Sequence, residues 1–198
     1  MTLVQTIGID EVGRGCWAGP LTVAALATPT DYPPWWVELD DSKRLTPRKR
    51  EWLHARMVEA DMPLAVVHVM PGRVDELGLS LAMHEAVRRV LDALRADYEL
   101  TAVTAVVVDG LQDFGVGLAM PRADQRIKEV SGASIAAKVE RDRLMARVAV
   151  THPQYGFERN VGYGTAEHRR ALETHGPCMW HRLSVRPVAE VVSCGAGT

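Results

Sequence analysis

Four acids in this 198-residue chain stand where a hydrolytic metal site could be built: Asp10, Glu11, Asp109 and Asp124. Asp10 and Glu11 follow an apolar, partly β-branched run that starts at Val4, and Gly13 and Gly15 come just after them. Asp109 closes the valine-rich run from Ala102 to Val108, and Asp124 lies in the turn after the next short apolar stretch. In open α/β sheets, ligands collect beyond the carboxyl ends of strands. A solvated turn acid is the ordinary reading of each alone, above all for Asp109-Gly110, a common turn dipeptide. Asp10-Glu11 says more, because the glycines after it would let a phosphodiester backbone come close. Adjacent strand residues point to opposite faces, so both acids serve one site only if the strand ends or bulges there. Convergence of all four would bring severe repulsion unless divalent cations occupy the site. With no His or Cys among them, the all-oxygen shell favours magnesium or manganese over zinc. Two such ions about 3.5–4 Å apart can activate a water and stabilise the leaving oxygen of an in-line phosphoryl displacement, which is the chemistry of a hydrolytic nuclease.

The elements that must hold these acids read as a mixed sheet with helices on both faces. Val4 to Asp10 and Pro20 to Ala27 predict two strands joined by the glycine-rich turn GRGCWAG, and Leu64 to Met70 predicts a third. Thr46-Pro47 predicts a capped helix start, with Trp52, Leu53, Met57 and Val58 facing inward. The spacing of Leu79, Met83, Val87, Val90, Leu91 and Leu94 predicts an amphipathic helix. Ala102 to Val108 is expected to be a buried central strand and Gly117 to Met120 a further short one. Ser131 to Val150 predicts a long helix whose start, SGASIAAK, is crowded with small residues, and Thr165 to Thr174 a short one.

Composition fits one globular unit: 47% hydrophobic and 24% charged residues exclude a disordered or fibrous chain. No uncharged apolar run spans a membrane, and MTLVQTIGID lacks the basic start and apolar centre of a signal peptide, so a cytoplasmic protein is expected. Cys16, Cys178 and Cys194 are odd in number and widely spaced, which suggests reduced structural thiols. The net charge of −2 discourages a nucleic-acid partner on its face, but the distribution is uneven. Phe114 to Arg186 carries twelve bases against seven acids, and Lys43, Arg44, Arg48, Lys49, Arg50 and Arg56 cluster around Glu51. Such a cluster is a solvated helix face or a phosphate-contacting patch, and charge alone favours the former.

Five blocks in order carry a resemblance: Ile9 to Cys16 (IDEVGRGC) with Ala18-Gly19-Pro20, DDSKRLTPRKRE from Asp40, VVVDG from Val106, RADQRIKEVSGASIAAKVERD from Arg122, and HPQYGFERNVGYGTAEH from His152. Together the chain resembles ribonuclease HII, the type 2 ribonuclease H family, from about Ile7 to Val188. The resemblance implies a ribonuclease H-like α/β/α fold around a five-stranded mixed sheet, with residues 1–150 as catalytic core and residues 151–198 as a C-terminal helical extension packed on it. It implies hydrolysis of the RNA strand of RNA–DNA hybrids and nicking 5′ of single ribonucleotides in duplex DNA, leaving 3′-hydroxyl and 5′-phosphate. Manganese or magnesium, two ions during catalysis, would be held by Asp10, Glu11, Asp109 and Asp124. Gly13, Arg14 and Gly15 fall on the loop that reads the ribose 2′-hydroxyl, Tyr163 on the tyrosine that senses the neighbouring sugar, and Lys43 and Ser134 on phosphate-contacting positions. The family also suggests a monomer.

These roles fit the residue types. The 2′-hydroxyl is what separates RNA from DNA, and a glycine-flanked loop presents peptide groups to it unobstructed. A Tyr ring offers an apolar face to a sugar and a hydroxyl to its oxygen. Three departures stand out. RAD around Asp124 replaces the usual K-G-D or K-A-D; VGYGT, with Val161 and Gly164, replaces K-G-Y-P-T; and SGASI replaces S-A-A-S-I. Asp113 and Asp142 read as loop and helix-surface acids. The tail after Pro187 lacks the short motif by which some relatives engage the replication clamp. The rival reading is a catalytically silent hybrid-binding protein that kept the fold.

Overall fold

A computed structural model describes residues 5–29, 31–98 and 103–195. Val4 and Ala102, where two of the expected strands would begin, lie outside the described residues, as does the side chain of Cys194. Five strands form one sheet: β1 (Gln5–Val12), β2 (Leu21–Ala27), β3 (Leu64–Val69), β4 (Val103–Asp109) and β5 (Leu118–Met120), in the order β3-β2-β1-β4-β5. β1 pairs antiparallel with β2 and parallel with β4, and β4 pairs parallel with β5, so the sheet is mixed. β1 and β4 lie side by side with Ile9 opposite Val108, which brings Asp10, the next residue of β1, beside Asp109, the last of β4. The central position explains the sequence: Ile7 and Ile9 on β1 and Val106, Val107 and Val108 on β4 are buried.

The helices are α1 (Pro47–Glu59), α2 (Pro71–Asp97), α3 (Lys128–Thr151), α4 (Phe157–Asn160), α5 (Ala166–His175) and α6 (Arg186–Gly195). Thr46 caps α1 by accepting a hydrogen bond from the Lys49 amide, with Pro47 at the first helical position as expected. Its inward face differs from the sequence reading. Leu53, His54 and Met57 are buried, while Trp52 and Val58 turn outward. The helical turn of about 100° per residue puts 53, 54 and 57 on one stripe and leaves 52 and 58 beside it. The outward Trp52 ring lies under the Lys49 ammonium, 4.0 Å away, and near the Arg56 guanidinium, so an apolar residue serves as a platform for the basic cluster. α2 begins well before the periodic stretch, and Gly78, at φ 74°, breaks its regular backbone just before Leu79.

The chain divides into two compact units that interleave along the sequence. The first comprises the chain through Val12 with Thr22–Val67 and His84–Val139; the second comprises Gly13–Leu21, His68–Met83 and Glu140 onward. In the first, the small residues opening α3 let it press on the sheet. A Cβ at Gly8 of β1 would lie 2.2 Å from the Val130 amide nitrogen, and one at Gly132 would lie 2.3 Å from Leu26. The core here joins Leu26, Leu39, Leu53 and Met57 to Ala133, Ala136 and Ala137. The second unit has its own core of Met145, Val148, Tyr155, Phe157 and Ala171.

Candidate active site

In the first unit Asp109 closes β4 and Asp124 lies in the turn after β5, while Asp10 and Glu11 lie within β1, whose regular pairing with β2 runs on through Val12. The strand neither ends nor bulges at Asp10, so the two acids leave it on opposite faces. Asp10 is 6% exposed, Asp124 is 3% exposed, and Glu11 and Asp109 are half-buried. Asp10 Oδ1 accepts the Glu11 amide at 2.7 Å, and Ser134 hydrogen-bonds the same carboxyl. Ser134 is itself buried and shares a 3.0 Å hydrogen bond with Ser42, so it locks the carboxyl from behind. Asp109 Oδ1 accepts the Ala123 amide at 2.7 Å, which ties the end of β4 to the single 3₁₀ turn Ala123–Gln125 that carries Asp124. That turn is fixed in its own right: Ser131 Oγ donates to the Asp124 carbonyl at 2.7 Å, and Arg122 before it adopts the left-handed conformation, φ 58°. Asp124 thus joins the strand-end acids despite its atypical RAD context.

Charge is the distinctive property of this cluster. Burial, then the charges of Glu11 and Asp109, push the Asp10 carboxyl up to about 8, although Ser134 and the Glu11 amide act against the shift. Burial, then Asp109 and Asp41, raise Asp124 above the ordinary carboxylate range. Lys43 opposes this: its Nζ lies 3.9 Å from Asp124 Oδ2, but its side chain is 82% exposed and well solvated. Asp41 was not singled out by sequence. It is buried, accepts the Lys43 amide at 2.9 Å and the Gln125 side-chain amide at 3.2 Å, and is held below the usual range because these contacts and the Lys43 charge outweigh its burial. The signal was present in D-D-S-K, an Asx-turn pattern in which an acid caps the amide two residues on.

Among the described residues, no three His, Cys, Asp or Glu side chains are grouped closely enough to hold a metal ion as they stand. The fit to a cation therefore rests on donor chemistry and charge: hard oxygens, those of Asp10 and Asp124 on buried side chains, with Glu11 and Asp109 raising Asp10 and Asp109 raising Asp124. A divalent ion relieves the same repulsion as a proton and displaces it. Magnesium or manganese suits such a set, and Asp10, Glu11, Asp109 and Asp124 are the residues that would hold it.

In the second unit, the loop after β1 and the loop before α5 are each built around glycines. Gly13 has φ 85°, and a Cβ there would lie 2.3 Å from Arg141 Nε, so only glycine fits. A Cβ at Gly15 would meet no protein atom within 4 Å, leaving an open face beside the exposed Arg14. Tyr163 is 41% exposed, and burial followed by the adjacent Cys16 thiol raises its hydroxyl. Gly164 has a physical reason: a Cβ there would lie 2.1 Å from the Trp17 ring, which takes the room that the usual proline would need. The Trp17 ring also packs near His168, with centroids 5.5 Å apart, and under Arg169.

Two histidines fix the tyrosine loop from inside. The Cys178 amide donates to His181 Nδ1 at 3.0 Å, which leaves the His181 Nε2 proton to reach His168 Nε2 at 3.0 Å. His168 Nδ1 then donates to the Tyr163 carbonyl at 2.9 Å. The chain of hydrogen bonds requires both rings neutral. Burial, then His168, holds His181 down to about 4, and burial lowers His168 as well. Sequence reading missed both histidines, as it missed the two arginines Arg141 and Arg182, 0% and 1% exposed. Neither pair lies in a spacing pattern that marks burial of a polar group.

Comparison with known proteins agrees with this geometry. The ribonuclease HII family model matches residues 7–188. Ribonuclease HII of Agrobacterium fabrum is 41% identical over 186 residues, 91% of this chain and 82% of the relative. Among solved structures, ribonuclease HII in the PCNA:RNase HII complex from Archaeoglobus fulgidus superposes with a TM-score of 0.75 at 25% identity, covering 92% of this chain and 95% of that one. Bst-RNase HIII in complex with Mn2+ shares the fold, with a TM-score of 0.73 at 18% identity over 98% of this chain and 71% of that one. A strand-end carboxylate cluster on this five-stranded mixed sheet, in a chain matched along nearly its whole length, places the protein in the ribonuclease HII family, as a type 2 ribonuclease H hydrolase.

Proposed function

We propose that the protein, acting as a monomer, cuts the RNA strand of RNA–DNA hybrids and nicks duplex DNA 5′ of a single embedded ribonucleotide, leaving 3′-hydroxyl and 5′-phosphate ends. The observation that carries this reading is Asp10: a buried carboxyl near the carboxyl end of the central strand β1 and beside Asp109, pushed up to about 8 by burial and by Glu11 and Asp109. A carboxylate that is both buried and set beside two other acids is costly to charge, and a divalent cation held there would offset that cost. Two magnesium or manganese ions held by Asp10, Glu11, Asp109 and Asp124 would supply an activated water and neutralise charge on the departing 3′ oxygen. The chain's own residues do the rest. Asp10, Glu11, Asp109 and Asp124 hold the charge in place. Ser134, buried and bonded to Ser42, acts by fixing the Asp10 carboxyl, and the exposed Lys43 beside Asp124 is in position to meet a phosphate. The open face at Gly15 offers peptide groups to a ribose 2′-hydroxyl, and the half-exposed Tyr163 ring offers a surface to a sugar.

The test is cleavage of a duplex carrying one ribonucleotide, with end mapping. Magnesium- or manganese-dependent nicking 5′ of the ribonucleotide is expected, abolished in Asp10→Asn. Intact substrate with wild-type protein, or full activity in the variant, overturns the reading; metal-independent binding without turnover would indicate a silent hybrid-binding protein. Unchanged cleavage in both Tyr163→Phe and Tyr163→Ala removes the sugar-sensing role alone.

A further inference from the structure

We propose that Arg141 is a positioning residue for ribonucleotide selection: a single buried guanidinium that sets the glycine loop and the tyrosine loop in register with each other. The inference deepens the sugar-sensing role proposed for Tyr163 and rests on it. Arg141 is fully buried on the C-terminal half of α3. Its three N–H directions go to three carbonyls: Nε to Pro20 at 2.9 Å, Nη2 to Ala18 at 3.0 Å and Nη1 to Val161 at 2.7 Å. Ala18 and Pro20 belong to the loop that begins at Gly13; Val161 lies two residues before Tyr163. One rigid planar fork therefore spans both loops, a geometry that a flexible ammonium cannot reproduce.

Glycines of both loops leave room for this group, Gly13 most directly, while the nearest neighbour of a Cβ at Gly19 would be Met145 Sδ and that of one at Gly162 the Ala18 carbonyl. A Cβ at Gly13 would lie 2.3 Å from Arg141 Nε, one at Gly19 would lie 2.9 Å from Nη2, and one at Gly162 would lie 3.3 Å from Nη2. All three have φ between 83° and 86°, a conformation in which glycine alone is unstrained. The two loops also meet directly, because the Gly162 carbonyl accepts the Trp17 amide at 2.8 Å and the Ala18 amide at 3.2 Å. Val161 is the telling residue. It is β-branched yet left-handed, at φ 42° and ψ 34°, a conformation that persists only when surroundings over-determine it. The Arg141 bond to its carbonyl is part of what holds it there, and Gly162 and Tyr163 follow directly.

Buried guanidiniums commonly serve stability alone, so the test must separate positioning from folding. It compares Arg141→Lys, Tyr163→Ala and the double variant of the full chain on a duplex with one ribonucleotide, with Tm recorded for each. Arg141→Lys keeps the charge and loses the fork. The expected result is a kcat about 10- to 100-fold lower with KM within about three-fold of wild type, since misplacing groups that touch the sugar acts on the reacting geometry. The double variant should be no slower than the slower single, because Arg141 acts through the tyrosine loop. Unchanged kcat in Arg141→Lys, or losses that multiply in the double variant, overturns the proposal. Should Arg141→Lys fail to fold, Gly162→Ala asks the same question with the guanidinium intact, since its Cβ would lie 2.1 Å from the Ala18 carbonyl oxygen and push the loops apart. A comparable kcat loss supports the coupling and an unchanged kcat overturns it. Full activity in Tyr163→Ala alone defeats the sugar-sensing reading, and this inference with it.

Discussion

The carboxylate cluster at the strand ends and the loops around Arg141 and Arg182 bury charge of opposite sign and resolve it in opposite ways. At the strand ends, Asp10 and Asp124 are buried beside other acids, and the result is carboxyls raised above their ordinary range. Around the loops, two buried guanidiniums are answered by backbone carbonyls: Arg141 by Ala18, Pro20 and Val161, and Arg182 by Arg14 and Gly19. Carbonyl dipoles satisfy the donors, although burial still lowers Arg182 to about 10. The acid cluster holds unspent repulsion, which a cation can use; the arginine clusters are closed, and what they deliver is backbone shape. As proposed, chemistry belongs to the first and selectivity to the second.

This contrast can be broken at several points. The largest effect is expected at the acids: Asp10→Asn should lower cleavage by roughly a thousand-fold or more, several kcal/mol of transition-state stabilisation. The same variant should stabilise the metal-free fold. With the folded carboxyl at about 8, against 3.8 unfolded, this group binds more protons in the native state than in the unfolded one between those values, so its own contribution to stability falls as pH rises through that window. Asn removes the dependence, and Tm measured in chelator across pH 4 to about 8.5 checks it. A lower Tm for the variant at the alkaline end would contradict the repulsion.

Next in size is Arg182→Met, which leaves the Arg14 and Gly19 carbonyls without their buried donor and should destabilise the fold by about 3 kcal/mol in denaturant unfolding. A change within experimental error would show that the carbonyls find other partners. The histidine pair should contribute about 2 kcal/mol. His181 is depressed to about 4 in the fold, so the unfolded state takes up protons first, and stability is lost as pH falls from about 6.5 toward 4. His181→Phe should flatten that acid limb. The smallest effect is at Lys43, 82% exposed: Lys43→Ala should raise KM a few-fold and reduce the salt slope of substrate binding by about one.

Much of this was legible in the sequence. Capping by Thr46, the apolar periodicity from Leu79 to Leu94 and the valine run into Asp109 encode local structure in residue type and spacing, and the elements formed there. The small residues of SGASIAAK announced a close approach, and Gly132 against Leu26 is that approach. What escaped was set by partners far along the chain. Trp52 reads as a core residue until Lys49 and Arg56 are seen flanking its outward ring. Gly164 reads as a lost proline until Trp17 is seen filling the space. Asp41 drew no notice in the sequence, and only its approach to Gln125, 84 positions away, joins it to Asp124. Arg141 and Arg182 look like surface bases because nothing local distinguishes a buried arginine from a solvated one.

The claim that the strand-end acids form a cation site is tested most directly by Tm as a function of magnesium or manganese concentration, for wild type, Asp10→Asn and Asp109→Asn. Wild-type Tm should rise with the ion, since binding to the native state adds stability by mass action, and the rise should be lost in both variants. An equal rise in all three proteins would place the ion elsewhere and contradict the account.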